Sequence, residues 1–420
     1  MRTDLSVLRE RSFLLLFAAR SISLVGNAIA PVGIAFAILA MPDGSGSMVG
    51  LVLAARLTAQ VVFLLYGGVL ADRLRRDRVM IWADLVAGAA QGAVAVLVLT
   101  GAASAPRLAV LSMVSGAATA LFTPASRAVT VQLVPKERIQ SANALVQLSM
   151  NAGSIGGAAA AGVLITLLGP GWALAVDAVT FLVSAMLLTG IRLKDQGGEQ
   201  RADGGLLAQL KDGWREFTKR QWVWTMVGQL ALANVCVAGG FYVLGPVVAK
   251  EHLGGASAWA TVMTAQAIGF AVGSLAALRM RPRRPVRTAA LCTLGFVPPF
   301  VCLAGAAPAG VIAAAMFLTG MCVSLYDITF QTALHRRIPA ESISRVMSYD
   351  SLGSFLFMPL GLAVVGPVAG LVGVGTTLVA AASVIALTAL LLLALPSIRN
   401  VRDEVEQPVG SLGPSPQPHG

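Results

Sequence analysis

The chain has 420 residues, of which 56% are hydrophobic and only 12% charged. Soluble domains carry about a quarter charged residues, and the mean hydropathy here is +0.77, so an ordinary soluble enzyme of one or two compact domains is excluded. The net charge of +11, from 31 Lys and Arg against 20 Asp and Glu, fits either nucleic acid or the basic flanks of membrane spans.

Apolar runs of about 20 residues or more, enough to cross a bilayer, recur along the whole chain. They lie at 12–40, 48–71, 79–100, 107–125, 141–168, 171–190, 222–249, 257–278, 288–305, 308–330, 346–369 and 376–395. The pattern predicts an all-α membrane protein with twelve transmembrane helices in two pseudo-symmetric six-helix bundles, 1–190 and 222–395. The polar stretch 191–221 joins them. Within it, Leu206, Leu207, Leu210, Trp214 and Phe217 recur at helical spacing against Lys211, Arg215 and Lys219, the pattern of an amphipathic helix on the membrane surface. Residues 396–420 are polar and rich in Pro, Gly and Ser, which predicts a disordered cytoplasmic tail.

The basic residues give the sidedness. With the N-terminus placed inside, the even-numbered loops hold Arg73, Arg75, Arg76 and Arg78, then Arg127, Lys136 and Arg138, then the 191–221 group, Arg279 through Arg287, and Arg336, Arg337 and Arg345. The odd-numbered loops hold only Arg107 and Lys250, and Arg20 and Arg56 fall within spans, so 27 of the 31 lie on the inner side. Positive charge near span ends is retained in the cytoplasm, so both termini are expected there. A nucleic-acid binder would gather its basic residues on one soluble domain, and none is predicted.

The first apolar run is too long for the core of a signal peptide, contains Arg20 and Pro31, and reads as a span. Cys236, Cys292, Cys302 and Cys322 all fall in apolar runs and read as small buried hydrophobes. Arg outnumbers Lys by 26 to 5, a bias of bacteria with GC-rich genomes. The expected location is therefore a bacterial inner membrane. Spacings such as Gly88/Gly92, Gly153/Gly157, Gly269/Gly273 and Gly366/Gly370 allow close helix contact; packing within one chain accounts for them, and a monomer is expected.

The two halves echo each other. Offset by 205, Gly68 matches Gly273, Arg76 matches Arg281 and Arg78 matches Arg283, while Asp72 meets Ala277. Offset by 204, Pro135, Glu137 and Ile139 recur as Pro339, Glu341 and Ile343, and Gly157 as Gly361. Duplication of a six-span unit is a construction used by secondary transporters, with the binding site between the halves.

The segment Gly68-x-x-x-Asp72-Arg73-x-x-Arg76-x-Arg78 resembles motif A of the major facilitator superfamily, the loop between its second and third spans. Shorter pieces resemble the drug-exporter branch with macrolide efflux proteins and the enterobactin exporter. These are Ser21–Ala28 in span one, Leu133-Val134-Pro135 before Asn143-Ala144, and Lys211-Asp212-Gly213-Trp214 before span seven. The chain departs from proton-coupled members at two points: Ser112 stands four residues before Gly116 where they carry Arg, and Ala158 follows Gly157 where they carry Pro. The resemblance implies a latch at the inner ends of the halves, formed by Gly68, Asp72, Arg73, Arg76 and Arg78 with Arg127 as partner, and released during transport.

Charges inside spans cost about 2.5–3.5 kcal/mol each at a helix centre on insertion scales, so each marks a cavity or a partner. Arg20, Ser23, Asn27 and Pro31 share one stripe of span one, and Arg56, Gln60, Phe63 and Gly67 one stripe of span two. Arg20, Asn27, Arg56 and Gln60 are cavity candidates. In span ten, Tyr326 and Phe330 share a face with Thr319 and are the candidates of the second half, with Asp327 and Gln331 beside them. Asp177 and Asp327 are the candidate proton carriers, Asp177 at a depth that lets it pair with Arg56. Asp84 reads as a partner for inner-side arginines.

Phosphate-binding loops, zinc spacings and nucleophile elbows are missing from the sequence, so no cofactor, no metal and no enzymatic activity are expected. The expected function is secondary active export of a drug-like or secondary-metabolite molecule by alternating access, with protons as the coupling ion. Two alternatives are an uptake permease or lysolipid flippase, and a non-transporting membrane assembly or sensor subunit. The expected partners are the small-molecule substrate, protons and the lipid bilayer, without nucleic acid.

Overall fold

The computed structural model describes residues 7, 9–71, 75–135, 138–191, 214–215, 217–280, 282, 284–338 and 340–399. Among them are twelve helices long and apolar enough to cross a membrane, and no strand. The first six are α1 (Arg11–Leu39), α2 (Gly46–Ala71), α3 (Arg76–Leu99), α4 (Ala105–Leu133), α5 (Ile139–Leu168) and α6 (Pro170–Thr189). The second six are α7 (Gln221–His252), α8 (Ala256–Arg279), α9 (Pro285–Ala304), α10 (Ala309–Arg337), α11 (Ala340–Phe355 with Met358–Val372) and α12 (Val374–Ala394). α7 widens to a π-helical turn at Gly240–Leu244, and α9 tightens to a 3-10 turn at Thr293–Phe296.

The helices start and stop close to the apolar runs, with two instructive exceptions. α4 and α10 continue about two turns beyond the runs that end at 125 and 330. Hydropathy registers only the hydrocarbon core, and a helix can continue into water once its backbone is paired. Both stop for the same local reason. Val134 (φ −116°, ψ 132°) and Ile338 (φ −106°, ψ 130°) are extended, and each precedes a proline, which disfavours helical backbone in the residue before it.

The duplication read in the sequence is carried by the packing. α1 packs on α5 and α6, α2 on α4, and α3 on α4 and α6; each contact recurs in the second half with the helix number raised by six. Between the bundles, α5 packs on α8 and α2 on α11, two contacts that the same renumbering exchanges. Glycines mark equivalent crossings, because helices in lipid associate through close approach rather than a hydrophobic drive. Gly157 of α5 lies against the Val25 carbonyl of α1, and Gly361 of α11 against the Val235 carbonyl of α7. Gly116 of α4 lies against the Arg56 carbonyl of α2, and Gly320 of α10 against the Gln266 carbonyl of α8.

The apolar core is not uniform along the bundle axis. At the far end, where the loops 40–45, 100–104 and 253–255 lie, one cluster runs through both halves, from Ile29–Leu39 of α1 to Val243–Ala249 of α7 and Leu362 of α11. At the end that carries the termini the cores formed by the described residues are separate. One gathers Leu16, Val79, Met80, Val129 and Leu188 of the first half, and another Trp222, Met226, Val286, Phe330 and Leu334 of the second. Among the described residues, the apolar cores of the two bundles are fused at the far end only.

Candidate functional site

Between the bundles, below the fused core, is a cavity of about 290 Å³. α1 and α5 line it from one side with Asn27, Pro31, Ser154 and Ala158; α7, α8 and α10 line it from the other with Tyr242, Trp259, Gln266, Phe270 and Val323. Tyr242 reaches it from the π-helical turn of α7, between buried Phe241 and Val243. Trp259 is buried, its indole seated on Gly245 where a side chain would displace it. The wall is aromatic and aliphatic with three scattered polar side chains, Asn27, Ser154 and Gln266. That composition suits an amphipathic ligand held by shape and a few hydrogen bonds.

Of the residues picked out from the sequence, Asn27 lies on this wall. Its amide nitrogen donates to the Ser23 carbonyl (2.9 Å) and lies 3.4 Å from the Ser23 hydroxyl, and its Oδ1 accepts from Arg56 Nη2 at 3.2 Å. Arg56 is thus one layer behind the cavity. Its other terminal nitrogen, Nη1, is buried without a hydrogen-bond partner.

Asp177 of α6 is 0% exposed, and neither carboxylate oxygen has a hydrogen-bond partner. It packs against Gly26, the neighbour of Asn27, and Thr180 spends its hydroxyl on the Asp177 backbone carbonyl (2.7 Å). The expected direct Arg56–Asp177 ion pair is not formed: the two are near enough for their charges to interact, but Arg56 is turned to Asn27. Gln91, Ser112 and Ser115, also buried and unpartnered, belong to the same interior. Gln91 and Ser115 sit about one turn beyond Ala87 and Ala118, which cluster with Phe181, and Asp177 is one turn beyond Phe181. Sequence reasoning passed over Gln91; its signal was a lone amide in the middle of a span.

The other candidates fall elsewhere. Arg20 donates from Nη1 to Ser126 of α4 at 3.1 Å, nearer the termini, and does not line the cavity. Gln60 of α2 is half-buried and also off the cavity wall. Tyr326 and Phe330 are not cavity residues but part of the second bundle's own core, rings stacked 5.5 Å apart with Phe330 against Trp222. Their shared face turns inward to the second bundle's own core. Asp327 is exposed, while the neighbouring Asp350 is buried and accepts from Gln331 at 3.3 Å. Asp84 pairs with no arginine among the described residues; it is buried and accepts from Ser184 of α6 at 2.5 Å.

For the motif between α2 and α3, Asp72 and Arg73 lie outside the described residues, as do the surroundings of Gly68. Arg76 and Arg78 open α3, beside an Arg75–Asp77 salt bridge of 3.0 Å. Arg127 is exposed near the end of α4. Most of the 191–221 stretch and the 400–420 tail also lie outside the described residues.

A family model described as the Major Facilitator Superfamily matches residues 12–362. The chain is 26% identical over 406 residues to the multidrug efflux pump Tap of Mycolicibacterium fortuitum, covering 92% of this chain and 96% of that protein. It is 23% identical over 367 residues to macrolide efflux protein A of Streptococcus pyogenes (83% and 87% covered). It is 26% identical over 423 residues to the enterobactin exporter EntS of Shigella dysenteriae serotype 1 (97% and 98% covered). Among solved structures, a variant of the nucleoside transporter NupG superposes with a TM-score of 0.74 at 13% identity, covering 91% of this chain and 99% of that one, a likeness of fold alone.

Proposed function

Because the chain belongs to the major facilitator superfamily of membrane transporters, we propose that it is a secondary active exporter of drug-like or secondary-metabolite molecules. Alternating access and proton antiport are part of the reading. The observation that carries it is the asymmetry of the core among the described residues: one apolar cluster crosses both bundles at the far end, while the clusters at the termini end are separate. We read a cavity bounded by that fused end as one loaded from the other. The distribution of basic residues supports a cytoplasmic termini end in a bacterial cell, where the cargo of an exporter binds.

The relatives named for multidrug, macrolide and enterobactin export support the direction, and the aromatic wall supports an amphipathic cargo. Movement of one bundle against the other, about the cavity they share, then exposes the site to the far side. A protein of this design works as a single chain, the motif between α2 and α3 acting as the inner latch. Purified protein in proteoliposomes, oriented by selective labelling, tests the reading: an imposed proton gradient drives ethidium or a macrolide out against its own gradient. Absence of gradient-driven movement for both compounds overturns it.

A further inference from the structure

The proton site and its link to the cavity are open in the reading above, on which the following rests. Asp177 is fully enclosed, with both oxygens unpartnered. Among the described residues, the charged groups of the helices around it are few. Arg20 of α1 is engaged with Ser126, Asp84 of α3 accepts from Ser184, the membrane part of α5 carries none, and α2 contributes Arg56. Arg56 is therefore the one cation placed to answer the charge on Asp177, yet its bonded nitrogen is on Asn27 and its other terminal nitrogen is unpartnered.

We propose that Arg56 is a coupling residue, which alternates between Asn27 on the cavity wall and Asp177 inside the bundle according to whether Asp177 carries a proton. A buried carboxylate left charged and unpartnered is strongly disfavoured, so the arrangement seen here is assigned to the protonated carboxyl. When the proton leaves, the carboxylate draws the guanidinium across. Rebinding of a proton to a carboxylate oxygen cancels that attraction and returns Arg56 to Asn27.

The consequence falls on the cavity. The Asn27 amide nitrogen is committed to Ser23, which fixes the amide with Oδ1 as its only acceptor. In this state Arg56 donates to one of its two lone pairs, which makes it a weaker acceptor for anything in the cavity. With Arg56 on Asp177, Oδ1 is free to accept an N–H or O–H from a molecule in the cavity. Proton and cargo thereby compete through one oxygen atom although they never touch, the reciprocal coupling that antiport requires. The cargo class follows: an amphipathic molecule with a hydrogen-bond donor beside its apolar surface.

Structures of the protein in lipid nanodiscs at acidic and alkaline pH, for the wild type and Asp177→Asn, test the relay. The wild type is expected to hold Arg56 on Asn27 at acidic pH and on Asp177 at alkaline pH, and Asp177→Asn to hold it on Asn27 at both. Arg56 fixed on Asn27 in the wild type at both conditions overturns the proposal, as does movement that persists in Asp177→Asn. Infrared difference spectra supply a second readout. The wild type should gain a protonated-carboxyl band on acidification that Asp177→Asn lacks, and identical spectra overturn the proposal too. Neither measurement involves transport, so a chain that failed to export would defeat the function proposed above and leave the relay standing.

Discussion

Gly366 of α11 is stacked directly on Ser47 of α2, across the boundary between the two bundles. A Cβ at Gly366 would lie 2.6 Å from the Ser47 amide nitrogen and 2.8 Å from the carbonyl carbon of Gly46. Gly50 packs on the Leu362 carbonyl and Gly162 on the Ala260 side chain, and the Lys250 ammonium donates to the Leu39 carbonyl. The far end is thus closed by close contacts across the boundary, at Gly366 and Gly50 backbone against backbone. Gly366→Val should wedge that closure open while leaving each bundle's own packing intact. A cysteine at Ser154 on the cavity wall, in a background without the four native cysteines, should then react several-fold faster with a membrane-impermeant thiol reagent added from the far side. Unchanged reactivity means that this contact does not hold the far end shut.

Gly169 (φ 89°, ψ 165°) and Gly373 (φ 91°, ψ 150°) each make the whole turn between two spans in their respective halves. That region of backbone space is essentially open to glycine alone, and another residue there costs on the order of 1–3 kcal/mol. Gly169→Ala and Gly373→Ala should each lower the unfolding midpoint in detergent. The double variant should show the sum, because the sites lie in different bundles and share no partner. A marked departure from additivity would show the two turns to be coupled.

Phe270 and Phe330 separate a cavity residue from a core residue. Phe270→Ala, on the cavity wall, should raise the apparent KM for export with little change in thermal stability. Phe330→Ala, enclosed between Trp222 and Tyr326, should destabilise by about 3–5 kcal/mol and lower the yield of folded protein. The paired transport and melting measurements decide it, and a stable Phe330→Ala variant with an export defect would move that ring to the site.

The latch is tested at Asp72, which removes little volume as Asn. Asp72→Asn should insert and express normally while cutting efflux, measured as retention of ethidium in cells lacking their own pumps. Substitution of Ala277, where the repeat has no acid, should have the milder effect. Normal efflux by a well-expressed Asp72→Asn variant rules out the gating role.

Sidedness has a direct test. A cysteine at Ser45 should be labelled from outside intact cells by an impermeant reagent, and one at Gly198 only after permeabilisation. The reverse pattern inverts the topology and, with it, the direction of transport.

The twelve spans, their duplication and the uneven placement of basic residues are legible in the sequence because the bilayer imposes them one segment at a time. A backbone in hydrocarbon must satisfy its own polar groups, which a helix does within one segment, and a basic loop is costly to translocate, so neither property needs a neighbour to be read. Arg56 and Asp177 were legible for the same reason, since a charge in a span needs an explanation wherever the span packs. Which way each helix turns is a different matter. Lipid tails are as apolar as leucine, so the face of a span that meets lipid and the face that meets another helix carry the same hydropathy. That is why the stripe holding Tyr326 and Phe330 gave no sign that it belonged to the bundle core, and why Tyr242, Trp259 and Phe270 gave none that they faced the opposite half. The partner of Arg56 was likewise decided only by the crossing of α1 and α2: packing brings the Asn27 oxygen within 3.2 Å of the guanidinium, while Asp177 lies beyond hydrogen-bond reach.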